Sequence, residues 1–354
     1  MCKCPLRKVF RGVRARDPIR TFGAVLLLAV ITPSPAAEPA IDVRSEPARL
    51  APRSLLLDAA AINGKIVVVG ERGHILLSMD GGLTWNQVQA PTRATLTAVY
   101  FVNDNIGYAA GHDAVILKTE DGGSTWSRVH YAPDEERPLF DIWFKTPQDG
   151  VAVGAYGYYL ETRDGGQTWT DRILNPIPLP EREGESEPEA PDEQLGEDLH
   201  LNRIVRSDTG KLYLAAEAGT VYRSDNEGQS WFRLPSPYEG SFFGVLPLSG
   251  DSLLVFGLEG RLFRTDDAGR NWERVDTGTE AILMDGVRLR DGTLVIVGFA
   301  GTLLSSIDGG RTFQAHQQKE RAGLATIVQP TQGALVLVGE NGVRRIEKQW
   351  GARS

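Results

Sequence analysis

Cysteine occurs only at positions 2 and 4, so the chain beyond its amino-terminal segment carries no thiol. That part of the protein can form no disulfide, and thiolate catalysis and thiolate metal binding are excluded. Long apolar runs are also scarce: the longest, Phe22 to Ile31 (FGAVLLLAVI), has ten residues. A run of this length is too short for a permanent transmembrane helix.

Sequence patterns typical of enzymes are equally scarce. The five histidines show no pair with metal-ligand spacing, and neither HExxH nor Gly-x-Ser-x-Gly occurs. The recurrent Gly-x-x-Gly segments are followed by no helix that could bind a phosphate. The sequence therefore predicts no catalytic residue, no metal site and no cofactor.

The first 37 residues differ in composition from the rest of the chain. They carry seven basic groups and one acidic group, followed by the apolar run and by small residues at Pro35-Ala36-Ala37. This order is typical of a secretory signal peptide, with a retained membrane anchor as the alternative. No cysteine follows the apolar run, which argues against a lipoprotein. We therefore expect export to the periplasm, or to a thylakoid lumen if the host is photosynthetic.

Charge restricts the choice of partner. The whole chain has a net charge of −8, so removal of the basic segment leaves −14. Such acidity argues against nucleic acid as a general partner.

One short motif organises the remaining sequence. Ser78 to Trp85 (SMDGGLTW) recurs with the pattern Ser/Thr-x-Asp/Asn-x-Gly-x-Thr/Ser/Asn-Trp/Phe. The third and last positions of its six copies are Asp80 and Trp85, Asp121 and Trp126, Asp164 and Trp169, Asn226 and Trp231, Asp267 and Trp272, and Asp308 and Phe313. The copies lie 41, 43, 62, 41 and 41 residues apart. A constant period near 41 indicates stacked supersecondary units, and the long step indicates an insertion.

The residue types predict a hairpin corner for each copy. Asp or Asn at the third position can accept hydrogen bonds from the backbone just ahead, and Gly at the fifth position allows a left-handed backbone. The closing Trp can bury a large apolar surface between units. We therefore expect these residues to build the fold rather than to bind a ligand.

A second landmark gives the number of units. Seven short turns, most of them Gly-x-x-Gly, separate the second and third strands of each unit. They span residues 70–73, 111–114, 154–157, 216–219, 257–260, 298–301 and 339–342. Four short strands per period predict an all-β, seven-bladed β-propeller over residues 38–354. The last unit lacks a fourth strand, and residues 41–47 are predicted to supply it by pairing with Val343 to Glu347.

The long step contains an acidic, Pro-rich stretch. The insertion spans residues 174–198, and from Asn175 to Asp198 it has nine acidic groups and one basic group. This composition predicts a disordered loop between blades three and four.

The repeated motif resembles the Asp-box, or bacterial neuraminidase repeat. Over residues 41–347 the box positions, the count of seven blades and the export signal resemble the photosystem II stability/assembly factor family. The resemblance implies a non-catalytic scaffold, monomeric by itself, that docks a membrane protein or envelope complex. It also implies an arginine-rich docking surface, although Arg72 is the only arginine in a Gly-x-x-Gly turn. The alternatives are a sialidase-like glycosidase and a carbohydrate-binding propeller.

The working face of such a propeller carries the Gly-x-x-Gly turns and the links from strand four to strand one, and the boxes lie on the opposite face. Aromatic and arginine side chains anchor interfaces more often than their abundance suggests. The predicted contacts on the working face are Arg72, His74, His112, Asp113, Tyr156, Tyr158, Glu259, Phe299 and Asn341.

Overall fold

Seven antiparallel sheets follow one another along the chain in a computed structural model that describes residues 43–179, 199–331 and 334–347. Each sheet is one blade, and its strands pair in their sequence order, except that Ile177–Pro178 adds a short parallel strand beside the last strand of blade four. The seven-bladed, all-β propeller predicted from the sequence is confirmed. The predicted signal peptide and most of the predicted insertion lie outside the described residues.

The strands of the first four blades come from residues 56–233. They are β1 (Leu56–Ile62), β2 (Lys65–Gly70), β3 (Ile75–Ser78) and β4 (Asn86–Val88) in blade one; β5 (Leu96–Phe101), β6 (Gly107–Gly111), β7 (Ile116–Thr119) and β8 (Ser127–His130) in blade two; β9 (Leu139–Phe144), β10 (Gly150–Gly154), β11 (Tyr159–Thr162) and β12 (Thr170–Asp171) in blade three; and β14 (Leu201–Arg206), β15 (Leu212–Ala216), β16 (Val221–Ser224) and β17 (Phe232–Arg233) in blade four, with β13 (Ile177–Pro178) before it.

The remaining three blades come from residues 242–347. They are β18 (Phe242–Pro247), β19 (Leu253–Gly257), β20 (Leu262–Thr265) and β21 (Glu273–Val275) in blade five; β22 (Leu283–Arg288), β23 (Leu294–Gly298), β24 (Thr302–Ser306) and β25 (Gln314–Gln317) in blade six; and β26 (Leu324–Thr331), β27 (Ala334–Gly339) and β28 (Gly342–Glu347) in blade seven. Short 3₁₀ turns occupy Ala51–Arg53, Glu71–Gly73, His112–Ala114, Pro133–Glu135, Leu258–Gly260 and Phe299–Gly301.

The second strand of each blade is buried on both sides because blades stack face to face. In β2 every residue from Ile66 to Gly70 is buried. Seven apolar clusters result, one at each junction between adjacent blades. Such strands are continuous apolar runs rather than alternating patterns.

The box aromatics fill the junctions. Trp126 of blade two is 8% exposed and lies in the cluster shared with blade one, where the ring of Phe101 meets it edge to face. The other five box aromatics pack in or against the cluster that joins their blade to the preceding one. Every box therefore connects two blades.

Each box turn is closed by its own side chains. The Asp164 carboxylate accepts bonds from the Thr168 N–H at 2.9 Å and the Thr168 hydroxyl at 2.6 Å. The Thr162 hydroxyl donates to Asp164 at 2.9 Å and accepts from the Gly166 N–H at 2.9 Å. These bonds, led by the one from the Thr168 hydroxyl, lower the pKa of Asp164 to about 2. The Asp164 carboxylate therefore uses its hydrogen bonds within the turn itself.

The amino-terminal strand predicted for blade seven is not formed by residues 43–47. Among the described residues, β28 pairs only with β27. Ser45 instead exchanges two hydrogen bonds with Ala90 of blade one, and the Ala48 N–H donates to the Gln87 side chain. Ile41 lies outside the described residues. An alignment of the repeats could not show that residues 43–48 bond to blade one, because it indicates which residues resemble a strand and not which strand they pair with.

Side-chain packing closes the ring. Val336 and Val338 of β27 and Leu56, Ile66 and Val68 of blade one form one buried cluster. The seventh junction is therefore apolar, like the other six.

Part of the predicted disordered insertion is ordered. Ile177–Pro178 forms β13, which runs parallel to Phe232–Arg233 of blade four. The Ile177 N–H donates to the Trp231 carbonyl at 2.9 Å, and Leu179 packs against the cluster of blades four and five. Of these residues Leu179 is partly buried, whereas Ile177 remains 49% exposed.

Candidate docking surface

The turns between the second and third strands place a side chain in an unfavourable backbone conformation. Arg72, Asp113, Tyr156, Glu259 and Ala300 all have φ between +52° and +58°. This left-handed region costs a non-glycine residue roughly 1–2 kcal/mol. In four of the six box turns on the opposite face glycine takes the equivalent conformation, as at Gly81, and in the other two Glu227 and Ala268 take it. Non-glycine residues at positive φ are therefore more frequent on the working face, where six of the seven turns have one when Ala218 is included.

Seven of the nine predicted contacts are exposed on this face. The aromatic pair is Tyr156, 54% exposed, and Phe299, 43% exposed. The polar members are Arg72, His112, Asp113, Glu259 and Asn341. All seven lie in turns between second and third strands, so they surround one end of the central channel.

The other two predicted contacts, His74 and Tyr158, are buried beneath the face. His74 is 4% exposed, and its Nδ1 lies 2.9 Å from the Ser54 hydroxyl. Burial lowers the pKa of His74. Tyr158 is 2% exposed, with the Arg137 guanidinium 3.9 Å from its ring centre, and burial raises its pKa to about 12. These two residues lie between the turn and the third strand, and their side chains pack beneath the exposed surface of the working face.

An aromatic group next to Tyr156 was not predicted from the sequence. The rings of Tyr156 and His200 meet edge to face at 4.9 Å, and Phe140 meets His200 at 5.5 Å. Glu217 holds His200 in place, because its carboxylate accepts the His200 N–H at 3.1 Å and lies 3.3 Å from Nδ1. The sequence feature that could have identified His200 is its position directly before the inner strand of blade four, in the link on the working face.

The inner strands carry a shared irregularity at this end of the channel. In every blade the pairing register shifts across the second residue of the first strand. These bulge residues are half-buried, and we call them the channel mouth: Leu57, Thr97, Phe140, Asn202, Phe243, Met284 and Ala325. The Thr97 hydroxyl and the Asn202 amide each donate to a carbonyl of the next blade, at 2.6 and 2.8 Å. These two hydrogen bonds therefore connect adjacent blades around the rim of the channel.

One residue deeper, four charged side chains meet in the channel. Arg203 of blade four lies 3.9 Å from Asp58, 3.6 Å from Asp141 and 3.3 Å from Asp285, which belong to blades one, three and six. Each aspartate also accepts a backbone N–H of the following blade, from Val99, Ile204 and Ile327. The cluster therefore ties six of the seven blades together.

Burial sets the protonation of this cluster. It raises the pKa of Asp58 to about 7, against the opposing charge of Arg203. Burial also raises the pKa of Asp141. For Arg203 burial acts in the opposite sense, but the three carboxylates raise its pKa above the ordinary value. The guanidinium stays charged, and Asp58 is a carboxyl that binds a proton near neutrality.

A cavity of about 740 Å³ opens from this cluster toward the box face, lined by Asp58, Tyr100, Asp141, Arg203 and Arg206 among others. Over the described residues, no three His, Cys, Asp or Glu side chains are grouped to hold a metal ion. The carboxylates of the cluster are already bonded to N–H groups and to the guanidinium. The same part of the chain contains no helix with the length and apolarity needed to cross a bilayer.

Comparison with known proteins places this architecture. Residues 46–135 match the family described as photosynthesis system II assembly factor YCF48. The chain is 36% identical over 157 residues to the photosystem II assembly lipoprotein Ycf48 of Prochlorococcus marinus (strain MIT 9312), which covers 44% of this chain and 40% of that protein. It is 38% identical over 58 residues to the protein of the same name from Trichormus variabilis (strain ATCC 29413 / PCC 7937), covering 16% and 17%. The alignments thus span less than half of these relatives.

Solved structures extend the likeness to the whole propeller. A structure described as YCF48 bound to D1 peptide superposes with a TM-score of 0.63 at 20% identity, covering 83% of this chain and 93% of that one. YCF48 from Cyanidioschyzon merolae gives 0.63 at 18% identity, covering 85% and 96%. The chain is thus a seven-bladed β-propeller that is similar in sequence and in fold to photosystem II assembly factors. A streptogramin B lyase also superposes at 0.67, with 14% identity and coverage of 83% and 93%, so the propeller fold by itself assigns no activity.

Proposed function

We propose that this propeller is a non-catalytic accessory or assembly factor that docks a segment of a membrane protein on its working face. Two similarities support the proposal: the relatives are named assembly lipoproteins, and a structural neighbour is described as bound to a D1 peptide. The observation that carries it is the ring of side chains held at positive φ around the channel mouth. Backbone strain of this kind is retained where the side chain has a use.

The names of the same relatives also support export. The relatives are named lipoproteins, whereas both cysteines of this chain precede its apolar run. We therefore propose a protein that reaches the periplasm, or a thylakoid lumen in a photosynthetic host, without a lipid on a cysteine.

Site-directed photo-crosslinking tests the docking proposal. A photoreactive amino acid is placed at Tyr156 or Phe299 on the working face, and at Met79 or Leu83 on the box face as controls. The control side chains are 64% and 67% exposed, at least as accessible as the tested ones. After illumination in envelope membranes, the working-face positions should capture one integral membrane protein and the box positions none. Capture of no integral protein, or equal capture from both faces, would refute the proposal.

A further inference from the structure

The channel mouth offers an apolar rim in the centre of the working face. Five of its seven side chains are apolar, and the two polar ones are bonded to backbone carbonyls of the next blade. The rim can therefore take an apolar side chain without leaving a polar group unsatisfied. Phe140, one of its two phenylalanines, continues outward through His200 to the exposed ring of Tyr156.

Charge is unevenly distributed around this rim. In blades two to five, the described segments between strands two and three and the described links from strand four to the next strand one carry nine carboxylates and three guanidinium groups; we call them the acidic sector. The corresponding segments of blades six, seven and one, including residues 43–55 before β1, carry four carboxylates and seven cationic groups. The aromatic group of Tyr156, His200 and Phe140 lies on the acidic side of the rim.

The three guanidinium groups of the acidic sector are already paired. Arg137 binds Glu135 at 2.5 Å, Arg172 lies 3.3 Å from Glu161, and Arg261 lies 3.3 Å from Glu259. Within the described part of the chain, no cation pairs with the exposed carboxylates of Asp113, Asp134 or Glu136. These groups lie on the turn and link at the blade two to blade three junction, beside the apolar rim. The charge available to a partner there is negative.

We propose that the channel mouth and the acidic sector together bind a basic polypeptide segment. An apolar side chain of the segment enters the rim against Phe140, and flanking Lys or Arg side chains lie over Asp113, Asp134 and Glu136. Tyr156 packs against the segment between these two regions. This inference rests on the proposed docking function and specifies the chemistry of the docked segment. Electrostatic attraction makes the association faster at low ionic strength and weaker in salt.

The test measures binding of defined peptides to the exported chain by fluorescence anisotropy. The probe is a fluorescein-labelled twelve-residue peptide with one Phe flanked on each side by two Lys in a Gly/Ser background. Two matched peptides carry Glu for every Lys, or Ser for the Phe. The Lys/Phe peptide should bind, each replacement should weaken binding at least tenfold, and binding should weaken further as salt increases.

Protein variants locate the site. Asp113→Asn, Asp134→Asn and Glu136→Gln combined should weaken binding of the Lys/Phe peptide at least fivefold. Tyr156→Asn should also weaken it, since Asn tolerates the positive φ at this position and only the ring is lost. The controls are Glu120→Gln, Glu273→Gln and Glu347→Gln combined, and Ile307→Ser, all at the box end of the blades. Neither control should change binding, and circular dichroism melts verify that every variant is folded.

Equal binding of the Lys and Glu peptides, or binding unaffected by the triple neutralisation, would overturn the inference. The outcome is separable from that of the docking proposal. Capture of an integral protein from Tyr156 combined with no preference for basic peptides removes only the inference. Basic-peptide binding at this site without capture of any integral protein removes only the membrane-protein partner.

Discussion

At the scale of single residues, the box aspartates show how one side chain can determine a turn. Four of the five carboxylates accept hydrogen bonds from a following threonine hydroxyl and N–H, and Asp267 accepts from the side-chain amide and N–H of Asn271. The leading Ser or Thr hydroxyl bonds both the carboxylate and a glycine N–H, as Ser78 does in blade one. In blade four, Asn226 replaces Asp and keeps the bond from the Ser230 N–H at 2.9 Å. The sequence pattern was sufficient to predict this corner because all of its bonds are local.

The depressed pKa of the box carboxylates gives a direct prediction. Thr168→Val removes the largest cause of the low pKa of Asp164, so the folded-state pKa should rise from about 2 toward the ordinary value of 3.8. Because the wild-type pKa is lower folded than unfolded, the ionised carboxylate stabilises above about pH 4. That stabilisation is lost as the pH falls through 2. Carbon-detected NMR titration of Asp164 measures the shift; an unchanged midpoint in the variant would contradict the assignment.

The box aromatics give a prediction about stability. Trp126→Ala should lower the free energy of unfolding by about 3–5 kcal/mol, because it empties a buried site between blades one and two. Tyr131→Ala, at a side chain that is 45% exposed, should change it by less than about 1 kcal/mol. Urea denaturation, monitored by far-ultraviolet circular dichroism, measures the free energy of unfolding of both variants. Equal losses in the two variants would mean that Trp126 does not anchor the junction.

At the scale of strands, the inner strand of each blade is an edge of its sheet, and an N–H on that edge is satisfied by the preceding blade where that blade carries aspartate. Asp58 accepts from Val99 at 2.8 Å, and Asp141 accepts from Ile204 at 2.8 Å. Arg203 then compensates for carboxylates that would otherwise be buried without a countercharge. The sequence could not reveal this cluster, because its members lie on four blades and are equivalent only once the bulges are aligned.

Asp58 should make stability depend on pH in the direction opposite to the boxes. Its folded pKa of about 7 exceeds the ordinary 3.8, so the stabilisation from its bound proton is complete below about pH 4. It is lost as the pH rises through 7. Asp58→Asn keeps an acceptor for the Val99 N–H and removes the titration. Wild-type unfolding free energy should therefore fall more steeply than that of the variant between pH 5 and 7, by roughly 1 kcal/mol per pH unit. Parallel curves from chemical denaturation at each pH would exclude a raised pKa for Asp58.

At the scale of the whole molecule, the period of the boxes and turns predicted the fold class and the number of blades. It also predicted which turns share the working face, since equivalent turns of stacked blades lie at the same end. It did not predict how the ring closes, because residues 43–48 hydrogen-bond to blade one and leave blade seven with three described strands. Nor did it separate Tyr156 from Tyr158: the two lie two residues apart, one exposed and one buried.

The closure by packing can be tested by truncation. A chain that begins at Arg49 should fold as seven blades and lose only about 1–3 kcal/mol relative to one that begins at Glu38, through the lost bonds of Ser45 and Ala48. Small-angle scattering gives the ring dimensions and thermal denaturation the stability. Failure of the shorter chain to fold would show that the segment is indispensable for closure.

The guanidinium at the hub also limits how this architecture can vary in length. Repeat proteins change size by gaining or losing whole units, and each unit here would bring its own rim corner intact. A ring of six or eight blades would nevertheless have a channel of a different diameter. Arg203 could then no longer reach all three carboxylates at 3.3 to 3.9 Å. A chain with a different number of blades would therefore also need different charged residues in its channel. The charged cluster thus restricts the number of blades more than the turns at the rim do.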